Sequence, residues 1–138
     1  LEEFGSYEIS LGDTTGMAHP KSAYEISRLV KERLKKVALA VHFHQAEGIE
    51  FANVLASLEA GIDIIDSAAG GLGGCPYAPG ARGNIATEVL VEMLHRMGIE
   101  TGIDEKRIRE AGRFARSLST YYHDEVKDDN TANDQRVV

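Results

Sequence analysis

Cysteine, basic charge and long apolar runs are all scarce in this chain, and each shortage removes a class of protein. A single cysteine, Cys75, excludes an internal disulfide and fits a reducing compartment. Lys and Arg number 15 against 22 Asp and Glu, a formal net charge of -7, and nothing basic is gathered into a patch. General nucleic-acid binding is therefore excluded. An anionic small substrate stays open, because a metal or local positive charge overrides the global sign. No apolar run approaches a membrane span, and the opening "LEEFGSYEIS" lacks the charged and apolar regions of a signal peptide. What is present is globular: 138 residues, 43% hydrophobic and 27% charged, enough for one domain with its own core. Of 14 glycines, those from Gly70 to Gly83 crowd into one loop.

Strand and helix patterns alternate. "YEISLGD" (7–13) predicts a first strand and "TTGMAHP" a turn. A helix from about Ser22 to Lys36 places Ala23, Ile26, Leu29, Val30 and Leu34 on one face. "VALAVHFH" is a second strand. The next helix carries Phe51, Val54, Leu55 and Leu58 and stops at Gly61, and "IDIID" (62–66) is a third strand. After the glycine loop, a helix aligns Ala86, Val89, Leu90, Met93 and Met97. A last helix, about Asp104 to Leu118 with Asp104 as N-cap, is expected to bury Ile108, Ala111, Ala115 and Leu118. Residues 1–118 thus form one domain, and 119–138 lose periodicity and are expected to be a flexible tail.

Repeated strand–helix units mean a parallel sheet. In the second strand Ala38, Ala40, His42 and His44 share one side, and Val37, Leu39, Val41 and Phe43 the other. Small residues inward and bulky ones outward suit a strand curving round a crowded interior. Asp13, the histidine pair and Asp66 come late in their strands, at the end where parallel α/β folds build sites. A closed (β/α)8 barrel needs eight strands and about 250 residues. Either this chain is part of a barrel or it is a small open sheet that hides its edges by association. The first is preferred.

His42 and His44, at i and i+2 on a strand, project to the same side, and two nitrogens so placed can reach one cation. The alternative is two rings bonded to neighbouring carbonyls at a strand end. In "AAGGLGGCPYAPGARGNIATE" (68–88), glycines let the main chain approach a ligand closely, and Cys75 is offered on the loop rather than in an apolar core. A thiol there can exchange protons with a substrate. Asn84 could cap the following helix or turn its oxygen to a metal, and these two roles conflict.

From Tyr7 to about Gly112 the chain resembles the hydroxymethylglutaryl-CoA lyase family, within the metal-dependent TIM-barrel lyases and Claisen-type synthases. The matching segments are "YEISLGDTTG", "LAVHFH", "IDIIDSAAGGLGGCPYAPGARGNIATE" and "MLHRMGIETGID". The resemblance implies the last three βα units of the eight and a cleavage of hydroxymethylglutaryl-CoA to acetyl-CoA and acetoacetate. It implies His42, His44 and Asn84 as ligands of a divalent ion, magnesium or manganese, with His42 also in the proton relay. Cys75 is implied as the catalytic proton-transfer group and Asp13 as a residue near the substrate. The implied setting is an acyl-CoA enzyme of leucine degradation and ketone-body metabolism, cytoplasmic, or in the mitochondrial matrix if eukaryotic. Neither nucleic acid nor membrane is an expected partner; a second copy or the missing part of the barrel is.

Two departures matter. The family follows its histidine pair with aspartate, threonine and tyrosine, where this chain has Gln45, Ala46 and Glu47. The family's first strand, with an arginine for the substrate carbonyl and an aspartate for the metal, has no counterpart here. The chain alone is therefore expected to be neither a competent lyase nor a well-behaved monomer. Other readings are a related aldolase or synthase, or an inactive relative kept for binding or assembly.

Overall fold

Three strands form one parallel sheet in the order β1 (Glu8–Asp13), β2 (Ala38–Phe43), β3 (Ile64–Asp66). A computed structural model describes residues 1–74 and 83–118. Helix α1 (Pro20–Arg33) joins β1 to β2, and α2 (Ile49–Glu59) joins β2 to β3. Helix α3 (Thr87–Arg96) follows the glycine loop, and a further helix, α4, runs from 105 to at least 118. Among the described residues no helix is long and apolar enough to cross a membrane.

Strand alternation sorts the two faces as expected. Leu39, Val41 and Phe43 enter the core cluster with Val54 of α2 and with Leu90 and Leu94 of α3. The opposite face of β2 carries Ala38, Ala40 and His42. The fully buried methyl of Ala40 leaves room above β2, and Ser10 Oγ of β1 donates across it to Asp66 Oδ2 of β3 at 2.5 Å.

The helices differ from expectation where polar chemistry overrules apolar spacing. Helix α1 starts two residues early. His19 caps it, its Nδ1 accepting from Ser22 N at 3.2 Å while Ser22 Oγ accepts from His19 N, and Pro20 takes the first turn. Its buried line is Ala23 and Ser27 with Val30 and Leu34, whereas Ile26 and Leu29 are about half exposed. Ser27 meets Ser57 of α2, so the α1–α2 contact uses small polar residues that let the helices approach. Helix α2 begins after a turn held by the buried Glu50 carboxylate, which accepts from Ala46 N and Gly48 N, each at 2.8 Å.

Asp104 caps α4, accepting from Arg107 N at 2.9 Å, and the stripe expected to be buried faces inward only in part, through the half-buried Ile108 and Ala115. Ala111 and Leu118 are exposed, and Gly112 is the buried position. Helix α4 instead meets α3 through ion pairs: Arg109 with Glu92, Arg116 with Glu88, and Glu105 with His95. The His95 ring is bonded on both sides, Nδ1 to Glu105 Oε1 at 2.7 Å and Nε2 to Thr101 Oγ1 at 2.9 Å. Residues 119–138, expected to be a flexible tail, lie outside the described residues.

Candidate functional site

His42 sits near the carboxyl end of β2, and His44 follows one residue past it. Their rings approach edge-on, with centroids 5.1 Å apart and planes at 75°. Same-side projection, expected from the i, i+2 spacing, is what this separation reflects. His44 is buried and His42 half-buried. Gly12 lies opposite His42 on β1 and Asp66 opposite it on β3. With no side chain on Gly12, nothing from β1 stands over the imidazole.

Asn84 is brought to this pair from far along the chain. Residues 83–86 cross the strand ends: Gln45 N donates to Gly83 O (2.8 Å), Ile85 N to Phe43 O (3.3 Å) and Ala68 N to Ile85 O (3.0 Å). His44 and Asn84 face each other in an antiparallel bridge. Of the two roles open to Asn84, the structure excludes capping. Ala86 holds the N-cap position of α3, and no side chain caps that helix. Asn84 Nδ2 donates instead to Leu72 O at 2.8 Å, which turns Oδ1 the other way. That oxygen is buried and has no hydrogen-bond partner among the described residues. Asn53 Oδ1 on α2 is the other such atom, but its side chain serves the rim loop, Nδ2 donating to Ala18 O at 3.0 Å.

The turn after β3 fits closely round Asn84. Gly71 and Gly73 adopt φ of +67° and +92°, a region that side-chain-bearing residues rarely occupy. A Cβ on Gly71 would stand 2.7 Å from Gln45 Nε2, and one on Gly73 2.7 Å from Asn84 Nδ2. Glycine is required at both positions by space as well as by conformation.

Asp13 is not brought together with the histidines. Its register partner is Phe43, on the helix-facing side of the sheet, because alternation gives the His42 side to Gly12. Its carboxylate accepts from Met17 N (3.0 Å) and Ala18 N (2.9 Å), shaping the loop after β1. In the structure these two bonds give Asp13 a loop-holding role at the end of β1. Cys75 lies outside the described residues. Among the described residues no three His, Cys, Asp or Glu side chains group to hold a metal ion. Two imidazole nitrogens and one carboxamide oxygen are chemically competent ligands.

Sequence reasoning missed Glu88. Its side chain is only 6% exposed, accepts from Gly70 N at 3.0 Å and pairs with Arg116 at 2.8 Å. Burial pushes this carboxyl up, but the Gly70 N–H, its own N–H and the Arg116 guanidinium outweigh burial and hold it below the ordinary carboxylate value. The signal was available: Gly112 and Arg116 lie four apart on α4, a small residue and a cation on one helix face.

Comparison with known proteins places the chain among lyases. The HMGL-like family model matches residues 1–115. The chain is 50% identical over 114 residues to the cytoplasmic 3-hydroxy-3-methylglutaryl-CoA lyase of Rattus norvegicus, covering 83% of this chain and 33% of that protein. To the hydroxymethylglutaryl-CoA lyase of Pseudomonas mevalonii it is 46% identical over 121 residues, covering 87% and 40%. The Brucella melitensis HMG-CoA lyase structure superposes with a TM-score of 0.77 at 44% identity, covering 85% of this chain and 41% of that one. The carboxyl transferase domain of Rhizobium etli pyruvate carboxylase follows at 0.68 and 26% identity. The chain thus spans between 33% and 40% of the length of these two curated relatives, and its parallel βα units match part of the TIM barrel.

Proposed function

This chain belongs to the HMGL-like family, and from that premise we propose that it carries one catalytic rim of a hydroxymethylglutaryl-CoA lyase. The reaction is cleavage of hydroxymethylglutaryl-CoA to acetyl-CoA and acetoacetate. The observation that carries this reading is the buried Oδ1 of Asn84, which has no partner among the described residues, on a residue bridged to His44. A buried acceptor without a donor is costly, and a cation is the natural compensation.

His42, His44 and Asn84 would hold a divalent ion, magnesium or manganese. When bound, such an ion supplies Lewis acidity that makes the substrate hydroxyl easier to deprotonate. His42, the more accessible ring, would hold the ion through one nitrogen and keep its proton on the other, so it would serve the proton relay as an N–H donor while the hydroxyl proton leaves to solvent or a rim carboxylate. Collapse of the alkoxide breaks the carbon–carbon bond, and the Cys75 thiol returns a proton to the carbon of the acetyl-CoA enolate. Asp13 acts indirectly by holding the loop after β1, and the hydrogen bond from Ser10 fixes the Asp66 carboxylate beside the rim. The compartment is cytoplasmic, or the mitochondrial matrix if eukaryotic, in keeping with relatives described as cytoplasmic and as mitochondrial. Leucine degradation and ketone-body metabolism are the matching settings. The aldolase or synthase alternative is weaker, since the relatives matched at 50% and 46% identity are lyases.

The test is a fusion of this chain to the amino-terminal portion of the Pseudomonas mevalonii lyase, assayed for acetoacetate release with manganese. Release is expected from the fusion and not from the chain alone. Cys75→Ala in the fusion should abolish release while metal binding persists. A fusion that folds and binds manganese but cleaves only other acyl-CoA esters would overturn the substrate assignment.

A further inference from the structure

We infer that Gln45 is a positioning residue that sets the Asn84 carboxamide for its ligand, an inference that rests on reading His42, His44 and Asn84 as a metal site. Gln45 directly follows His44 and touches the Asn84 segment twice. Its backbone N–H donates to Gly83 O at 2.8 Å, and its side-chain Nε2 donates to Asn84 O at 3.0 Å. Together they hold both peptide groups that flank the Asn84 Cα. At the other end of the residue, Leu72 O accepts from Asn84 Nδ2 at 2.8 Å and dictates which way the carboxamide points. Oδ1, the one polar atom of that side chain without a partner among the described residues, is thereby fixed rather than free to rotate.

The cradle is also close-packed. A Cβ on Gly71 would stand 2.7 Å from Gln45 Nε2, so the amide has little room to move away from Asn84. A glutamine suits this place because it is long enough to cross to the Asn84 carbonyl and carries a donor at its end. Aspartate, the residue the family usually places here, has no such donor when ionised. The brace therefore belongs to this chain's own sequence. Outer residues that orient a ligand typically contribute roughly 10- to 100-fold in metal affinity.

The test uses Co2+ as a spectroscopic probe, titrated into the full 138-residue chain and followed by its visible absorption. Gln45→Met keeps the volume and loses the donor; binding should weaken about 10-fold with a changed absorption envelope. In an Asn84→Ala background the same substitution should have no further effect, because Gln45 acts through Asn84. Unchanged affinity in Gln45→Met, or an equal loss in both backgrounds, would overturn the positioning role. Gln45→Glu is the second variant, should Gln45→Met fail to fold. Loss of the N–H predicts weaker binding, whereas tighter binding would mean that charge alone matters and would overturn the inference. His44→Ala separates this outcome from failure of the underlying reading: if it leaves Co2+ binding intact, or if the parent chain takes up no Co2+, the metal site falls and the brace with it.

Discussion

Replacing Gly112 with alanine should destabilise the chain, although the same change in an ordinary helix interior stabilises by about 1 kcal/mol. Gly112 is the buried residue of α4, and an added Cβ would meet the Glu88 carboxylate at 2.5 Å from Oε1, 2.8 Å from Cδ and 2.9 Å from Oε2. A carboxylate at the end of a side chain usually swings aside. This one is nearly buried and is held by Gly70 N and Arg116. Moving it sacrifices a hydrogen bond to a charged group, worth roughly 1.5–3 kcal/mol. The Arg116 side chain is 48% exposed, so its share is screened and taken as about 1 kcal/mol. Against the propensity gain, the net loss is about 1.5–3 kcal/mol, or on the order of 10 °C in melting temperature for a domain of this size. Urea unfolding followed by circular dichroism measures it. The double variant Glu88→Ala with Gly112→Ala supplies the internal control: with the carboxylate gone, the alanine should now stabilise relative to Glu88→Ala alone. A Gly112→Ala chain more stable than the parent by about 1 kcal/mol would refute the argument.

Acid should act through the same carboxylate. Its folded pKa lies below the ordinary value, so its stabilising contribution is complete above the ordinary carboxylate range and fades as pH falls through the folded value. The stability gap between the parent and Glu88→Gln, read from urea midpoints, should be largest near neutral pH and narrow in acid; a gap independent of pH would remove Glu88 from the account. In solution the chain should associate, because the outer edges of β1 and β3 carry no further strand among the described residues and Met17, Ile26 and Leu29 are exposed near the β1 side. Light scattering is expected to give a mass well above the 15.0 kDa of one chain, and a monodisperse 15.0 kDa particle would contradict the prediction.

Local pattern was sufficient for much of this molecule. Period-two alternation identified the three strands and put His42 and His44 on one side, since a strand's geometry fixes side-chain direction residue by residue. The resemblance carried by "LAVHFH" and the glycine-rich segment named the family that the comparisons show. Asp104, as a cap, was equally legible because capping acts within one turn.

What the sequence could not decide were choices between partners distant along the chain. Asn84 had two locally reasonable roles, and only the tertiary structure removed capping: Ala86 holds the N-cap position, and the Asn84 amide donates to the carbonyl of Leu72. Asp13 ends β1 at the rim as expected, but only sheet register showed that Gly12, not Asp13, shares the side of His42. Helix α4 was expected to bury Ile108, Ala111, Ala115 and Leu118, of which the first and third are half-buried and the other two exposed. It turns instead to bring Gly112 against Glu88 and Arg116 to the same carboxylate, because a charge already buried at the base of the glycine loop needs partners more than a few methyl groups need cover. Period and propensity act along the chain, whereas the satisfaction of a buried polar atom depends on which segments meet, and only the tertiary structure brings them together.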